Sequence, residues 1–265
     1  MQGHDGWDDY APFYDWENAR TLGRRDVPFW RRLAAAAVAG GSRRRRPAPV
    51  LELGSGTGRV TLPVARDGVP IVGIDRSSEM LARARQRVRR ARLPGTAALV
   101  RGDIRDLPFP DGAFPLVMAP YGILQSLLRE RDLARTLAAV HRVLRDGGTF
   151  GLELVADLPS WQEYAGRVSL RGTRPGGARI TLIESVRQDR ARRLTHFDQE
   201  FVERRGRQTR RRAFSLAFRT LSVPQMRRRL EKAGFEVTAL LGDYQGGPWD
   251  PRAEVWIVLA RKAKL

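Results

Sequence analysis

The 265-residue chain predicts an α/β fold: a doubly wound, mostly parallel sheet with an antiparallel C-terminal strand pair and an antiparallel β insertion. Three observations predict it. Between Val50 and Val155, short apolar runs alternate with helical stretches, the signature of βαβ units and a parallel sheet. After Pro159 the period changes to two, in four stretches separated by turn-like TRPGG, DRARR and RGRQ. A helical signal then returns at Val223-Pro224, and two further apolar runs close the chain.

The elements follow in order. Residues 1–20 are rich in Trp, Tyr and Asp and predict a partly ordered arm. VPFWRRLAAAAVA (27–39) predicts a helix that Gly40-Gly41 ends, and GGSRRRRPAP a loop. VLEL (50–53) is a strand, followed by a helix from about Arg59 to Arg66. PIVGID (70–75), a helix over about 78–92, AALV (97–100) and FPLVMA (114–119) come next. A helix over about 130–144 leads through Asp146-Gly147-Gly148 into the strand TFGLELV (149–155). FEVTALLG and AEVWIVLARK form the closing pair. The domains are therefore an N-terminal arm and helix (1–48), a ligand-binding core (49–158 and 222–265) and an insertion (159–221).

Composition narrows the classes. An apolar fraction of 42% suits a chain that buries a core. No apolar run reaches the length of a transmembrane helix, so no membrane partner is expected. The stretch MQGHDGWDDY lacks the basic-then-apolar order of a secretion signal, and a cytoplasmic location is expected. The absence of cysteine excludes disulfides, thiolate zinc sites and a thiol nucleophile, and no metal is expected. The net charge of +19 raises nucleic acid as a partner. Against that, the basic residues are almost all Arg, with Lys only at 232, 262 and 264, a skew that a GC-rich genome also produces. Only Arg43–Arg46 and Arg210–Arg212 are dense, and neither run has interleaved aromatics for base stacking.

The chemistry starts at Gly54-Ser55-Gly56-Thr57-Gly58, between a strand and a helix. Such a turn lets the backbone approach a ligand and points helix N–H groups at it. The spacing G-x-G-x-G departs from the G-x-G-x-x-G of dinucleotide sites, and a tight turn alone would also call for glycine. Asp75 ends the second strand, where a carboxylate can accept both hydrogen bonds of a ribose diol. It could instead cap the next helix, a role open equally to Ser77 or Ser78. Asp103 follows the third strand and could accept from the exocyclic amine of a purine, with Ile104 against the ring. Asp106 is the competing choice. Glycine turn, ribose acid and adenine acid, on successive strands, describe a pocket for an adenosine.

ELGSGTGR, GID, GDIRDLPF, FPLVMAPYGILQSL and LRDGGTFGLELV resemble, in order and spacing, the motifs of class I S-adenosylmethionine-dependent methyltransferases. The resemblance covers about residues 50–156, and residues 224–262 resemble the C-terminal half of that Rossmann-like fold. An antiparallel platform after the fifth strand resembles a small-molecule subgroup, some members of which N-methylate amino sugars, glycine or similar amines. YAPFYDW resembles that subgroup's arm, which closes over the cofactor.

The resemblance implies S-adenosyl-L-methionine as cofactor, S-adenosyl-L-homocysteine as product, and a set of site residues. Glu52, Gly54, Ser55 (where the family often has Cys) and Gly56 would line the methionine end. Arg59 would meet the methionine carboxylate, or lie on the solvent face of its helix. Asp75 would hold the ribose, Arg76 and Met80 would flank adenine, and Asp103 and Ile104 would hold adenine from the other side. Ala119 and Tyr121 would sit near the reactive methyl, with Tyr14 and Tyr10 capping from the arm.

Catalysis would be mostly positioning. A neutral amine needs only deprotonation, whereas a hydroxyl needs a general base. His141, His196 and Glu153 are the candidates for a base, and Tyr14, Tyr121 and His196 the candidates for a catalytic role. Asp157, Trp161 and Tyr164 are candidates for the substrate wall.

Three other readings compete. An RNA methyltransferase is favoured by charge, but Ala119-Pro120-Tyr121-Gly122 lacks the polar first residue of the amino-methyltransferase motif. A non-catalytic protein that binds an adenosine ligand would share the fold. An NAD-dependent oxidoreductase is disfavoured by the glycine spacing and the closing strand pair. The small-molecule acceptor remains the preferred partner. Four strands cannot bury both faces alone, which predicts a homodimer.

Overall fold

The computed structural model describes residues 7–21, 23–39, 47–93, 96–156, 161–174 and 176–263. In chain order they form α1 (Trp7–Asn18), α2 (Val27–Ala39), β1 (Val50–Leu53), α3 (Thr61–Arg66), β2 (Ile71–Asp75) and α4 (Ser78–Arg90). Next come β3 (Ala97–Arg101), β4 (Phe114–Ala119), α5 (Glu130–Val143) and β5 (Leu144–Val155). Strands β6 (Tyr164–Thr173), β7 (Arg179–Asp189), β8 (Leu194–Arg205) and β9 (Gln208–Arg219) follow. Helix α6 (Val223–Lys232), β10 (Phe235–Leu241) and β11 (Val255–Lys262) end the chain.

The chain divides into two units: described residues within 1–23, 125–128 and 157–220, and those within 24–124, 129–156 and 221–265. The segment before β1 is split by this division: α1 goes with the four-stranded sheet and α2 with the larger unit.

The larger unit holds a seven-stranded sheet in the order β10-β11-β5-β4-β1-β2-β3. Strands β1 to β5 pair in parallel, and β11 is antiparallel to both β5 and β10. Every residue of VLEL and FPLVMA is buried, as strands covered on both faces require. Strand order reverses between β1 and β4, which opens a crevice at their C-terminal ends. Trp30 of α2 is fully buried against this core, beside Leu116 and Met118.

The helices start where the sequence provides caps. Ser77 accepts from the Met80 N–H at 3.0 Å to cap α4. Ser222 and Gln225 form a capping box on α6, with Pro224 in its first turn. Helix α5 begins with Glu130 and Asp132 and ends with His141 and Arg142, so both ends oppose the helix dipole.

The smaller unit is an antiparallel sheet in the order β6-β7-β8-β9, with α1 on one face. Phe13 stacks on Phe201 at 4.4 Å, and Tyr10 meets Phe214 edge-on at 5.7 Å. The Trp16 indole donates to the Thr173 carbonyl at 3.2 Å.

Three boundaries differ from the sequence reading. Residues 7–18 are a helix rather than a partly ordered arm, because aromatic packing compensates for weak amphipathicity and Pro12. Helix α3 starts at Thr61 rather than Arg59, since Gly58 still belongs to the turn and donates its N–H to Ser55 O. Strand β5 starts at Leu144, which pairs with Phe114 before a register shift absorbs the glycines.

Candidate active site

The glycine turn lies at the C-terminal end of β1, beside the crevice. Gly54, Gly56 and Gly58 all have left-handed backbone, at φ +64°, +53° and +82°. Their surroundings differ. A methyl group on Gly54 would lie 2.7 Å from Ile123 Cδ1, and one on Gly58 would strike Leu62 Cδ1. Gly56 faces open space, with nothing nearer than Gly54 O at 3.9 Å. Two glycines therefore allow the turn to pack, and the central one leaves room for a ligand to approach.

Asp75 ties this turn to β2. Its Oδ2 accepts the Gly56 N–H at 2.8 Å and its Oδ1 accepts the Ser77 N–H at 2.8 Å. Ser77, not Asp75, supplies the side-chain cap of α4. Ser55 is buried beneath the turn against Gly73, and its Oγ has no hydrogen-bond partner.

A buried polar cluster lies at the same edge of the sheet. Glu52 accepts from the Thr61 hydroxyl. Arg59 pairs with Asp26, the fully buried residue before α2, and its guanidinium lies 5.7 Å over the Tyr121 ring. Its side chain is only 13% exposed, so it is not on the solvent face of a helix. Glu153 accepts from Tyr244 Oη at 2.8 Å and from the Tyr121 N–H at 3.1 Å. Tyr121 has φ +51° and Gly122 φ +64°, two successive left-handed residues that Glu153 pins through that carboxylate and through its own carbonyl.

Charge in this cluster is balanced on the acidic side. Burial pushes Glu52 up to about 8; Asp26 and Asp75 add to this, while Thr61 and Arg59 oppose it. Burial, then Asp26, pushes Glu153 up to about 7 against the hydrogen bonds from Tyr244 and Tyr121. Burial and Glu153 push the Tyr244 phenol up.

The adenine side is more open. Burial would raise Asp103, but the hydrogen bonds and charge of Arg105 outweigh it and lower the carboxyl. Arg105 approaches Asp103 to 2.7 Å and Arg76 to 3.7 Å. Asp106 instead points to solvent, 3.2 Å from Arg135. Ile104 is half-buried, whereas Met80 is 2% exposed and packs into the core. Ala119 is buried at the end of β4, and Tyr121 is 38% exposed.

Glu52, Gly56, Arg59, Asp75, Asp103 and Tyr121 are thus all carried by the larger unit. Tyr14 and His196 are in the smaller unit. Tyr14 meets Tyr10 edge-on at 6.0 Å, and Tyr10 donates to Glu17 at 2.5 Å. His196 faces away from Gln199 by strand alternation, cross-strand from Arg187. Trp161 packs edge-on against Phe197 at 4.8 Å, and Tyr164 donates to Glu184. Asp157 and Arg43–Arg46 lie outside the described residues. His141 is at the opposite end of the sheet from Glu153, packed against Phe235 near Lys262. Among the described residues no group of acids and histidines is arranged to hold a metal ion.

Asp26 and Tyr244 were not legible as site residues. Asp26 directly precedes α2, and Tyr244 lies in the loop between β10 and β11.

Sheet order, glycine turn and strand-end acids define a class I methyltransferase fold. Residues 50–148 match the family model described as "Methyltransferase domain". A phosphatidylethanolamine N-methyltransferase of Cereibacter sphaeroides is 42% identical over 118 residues, 44% of this chain and 53% of that protein. A ubiquinone/menaquinone biosynthesis C-methyltransferase UbiE of Geobacter sp. (strain M21) is 34% identical over 141 residues, 52% of this chain and 56% of that protein. The chain thus spans about half the length of the curated relatives it matches. An S-adenosylmethionine-dependent methyltransferase structure from Clostridium acetobutylicum ATCC 824 superposes with a TM-score of 0.79 at 17% identity, covering 97% of this chain and 100% of that one. Residues 50–148 thus match a methyltransferase domain, and the chain has the fold of S-adenosylmethionine-dependent methyltransferase structures.

Proposed function

We propose that the chain is an enzyme that transfers a methyl group from S-adenosylmethionine to a nitrogen of a small-molecule acceptor. The observation that carries this reading is the edge where Gly56, Asp75, Arg59 and the buried acids meet. Its residues suit the cofactor: Arg59 for a carboxylate and Asp75 for a diol. The open face of Gly56 fits a ligand lying on the turn.

When bound, S-adenosylmethionine supplies an electrophilic methyl on a sulfonium. The residues of this chain do the rest. Asp75 and the glycine turn orient the ligand, and Asp103 with Ile104 borders the base. Glu153 holds the Tyr121–Gly122 backbone in place, and Tyr121 lines the acceptor side. Near neutrality the Glu153 carboxyl gains or loses a proton readily. Relatives named for nitrogen and for carbon acceptors both match, so the choice of nitrogen rests on the subgroup resemblance. Pairing of the smaller unit's sheet between two copies of the chain is part of the same proposal. A monomer in light scattering at all workable concentrations would remove it.

Calorimetric titration with S-adenosylhomocysteine tests the pocket. The wild type is expected to bind it and to ignore NAD, and Asp75→Ala is expected to bind at least about tenfold more weakly. Failure to bind either nucleotide would leave a statement about fold alone.

A further inference from the structure

A second polar cluster lies in the smaller unit, where β7 and β8 interrupt their apolar faces. Ile180, Leu182 and Val186 alternate along one face of β7, and Glu184 stands among them. Thr195, Phe197 and Phe201 line the same face of β8, with Gln199 directly across from Glu184. Gln199 is 5% exposed. Its Nε2 donates to Glu184 Oε2 at 2.9 Å and to Glu17 Oε1 of α1 at 3.0 Å. Tyr10 and Tyr164 donate to the far oxygens of Glu17 and Glu184. The Gln199 Oε1 is buried with no hydrogen-bond partner.

This arrangement is unusual for so basic a chain. The other face of the same strands pairs its acids with arginine: Asp198 with Arg187 at 2.9 Å and Glu200 with Arg211 at 3.0 Å. Among the described residues, Glu17 and Glu184 have no cationic side chain within ion-pair distance. Two carboxylates held by one amide repel each other, and burial together with Glu184 raises Glu17. A buried acceptor without a donor destabilises the fold. Both penalties disappear if a cation with several N–H groups enters. A primary ammonium has three donors and no acceptor, one donor for each carboxylate and one for Gln199 Oε1.

We propose that Glu17, Glu184 and Gln199 form a site for the ammonium group of a small molecule. An ammonium held between two carboxylates keeps its proton and has no lone pair, so it anchors the molecule that carries it. The ligand class is therefore a small molecule with a primary cationic nitrogen.

The test uses cyclohexylamine, protonated at neutral pH, and its uncharged counterpart cyclohexanol. The probes are titrated into the full-length 15N-labelled protein while the Gln199 carboxamide signals are followed by NMR. Glu17→Gln and Glu184→Gln are compared with the wild type. Cyclohexylamine is expected to shift those signals, cyclohexanol to leave them unmoved, and each variant to bind the amine at least about tenfold more weakly. No shift with the amine, equal shifts with both probes, or an unchanged amine response in both variants would overturn the proposal. The comparison of probes in the wild type needs no variant to fold. S-adenosylhomocysteine calorimetry on the same samples separates the two ideas. An amine response in a protein that does not bind the nucleotide would sink the methyltransferase reading and leave the subsite.

Discussion

Replacing Glu153 by glutamine should make the protein more stable at alkaline pH, although it changes a buried hydrogen-bonded acid. Glu153 is 5% exposed and serves Tyr121 and Tyr244 at once. Its carboxyl moves from 4.5 in the open chain to about 7 in the fold. The folded state therefore holds this proton more tightly than the unfolded state. Stability attributable to Glu153 is greatest below about pH 4.5, falls as pH rises and is fully lost above about 7. The shift corresponds to about 3 kcal/mol at completion. Glutamine resembles the protonated acid: its oxygen can accept from the Tyr121 N–H, and its amide can donate to Tyr244 Oη. Wild type and Glu153→Gln should thus be nearly equal in urea unfolding at about pH 4, with the variant ahead by about 3 kcal/mol at about pH 8. Burial lowers His141, which acts in the opposite direction, but it does so in both proteins and cancels in the difference. Parallel pH curves, or a variant weaker at both pH values, would refute the account of Glu153.

Asp26→Asn removes a charge that raises both Glu52 and Glu153, so the loss of stability with rising pH should shrink and be complete at a lower pH in the same unfolding series. Gly73→Ala places a methyl 2.7 Å from Ser55 Cβ and 2.8 Å from its Oγ. Overpacking of that kind costs about 1–3 kcal/mol, and calorimetry should show weaker S-adenosylhomocysteine binding as the turn shifts. At Tyr121, with φ +51°, glycine should be more stable than alanine by about 1 kcal/mol in thermal unfolding, the reverse of the usual order.

Much of the larger unit was legible because its signals are local. VLEL and FPLVMA are short buried strands with no polar relief beyond Glu52, and Val223-Pro224 marks the start of α6, whereas Asp75, Ser77 and Ser78 all competed to cap α4 until the structure chose Ser77. Asp75 was legible from its distance along the chain after the turn. The less legible parts depend on contacts between distant residues. Helix α1 has little periodicity and is stabilised by Phe201 and Phe214, nearly two hundred residues later. Asp26 becomes a site residue only because Arg59 turns inward to meet it, and no spacing rule links them. Gln199 and Glu184 left a trace in the sequence, as polar residues at inward positions of otherwise apolar alternation. Read strand by strand, each looks like an isolated exception. Their meaning appears only when the register sets them side by side.

The long sequence separation within the smaller unit has a consequence for the chain as it is made. Helix α1 leaves the ribosome early, with Tyr10, Phe13 and Trp16 on the face that will meet β8 and β9. Its partners Phe201 and Phe214 are synthesised on the order of ten seconds or more later, at translation rates of about 5–20 residues per second. Throughout that interval the aromatic face is bare and the seven-stranded sheet still lacks β10 and β11. Newly made chains should therefore be chaperone clients until β9 emerges, and slowing translation ahead of β8 should lower soluble yield without altering the finished protein.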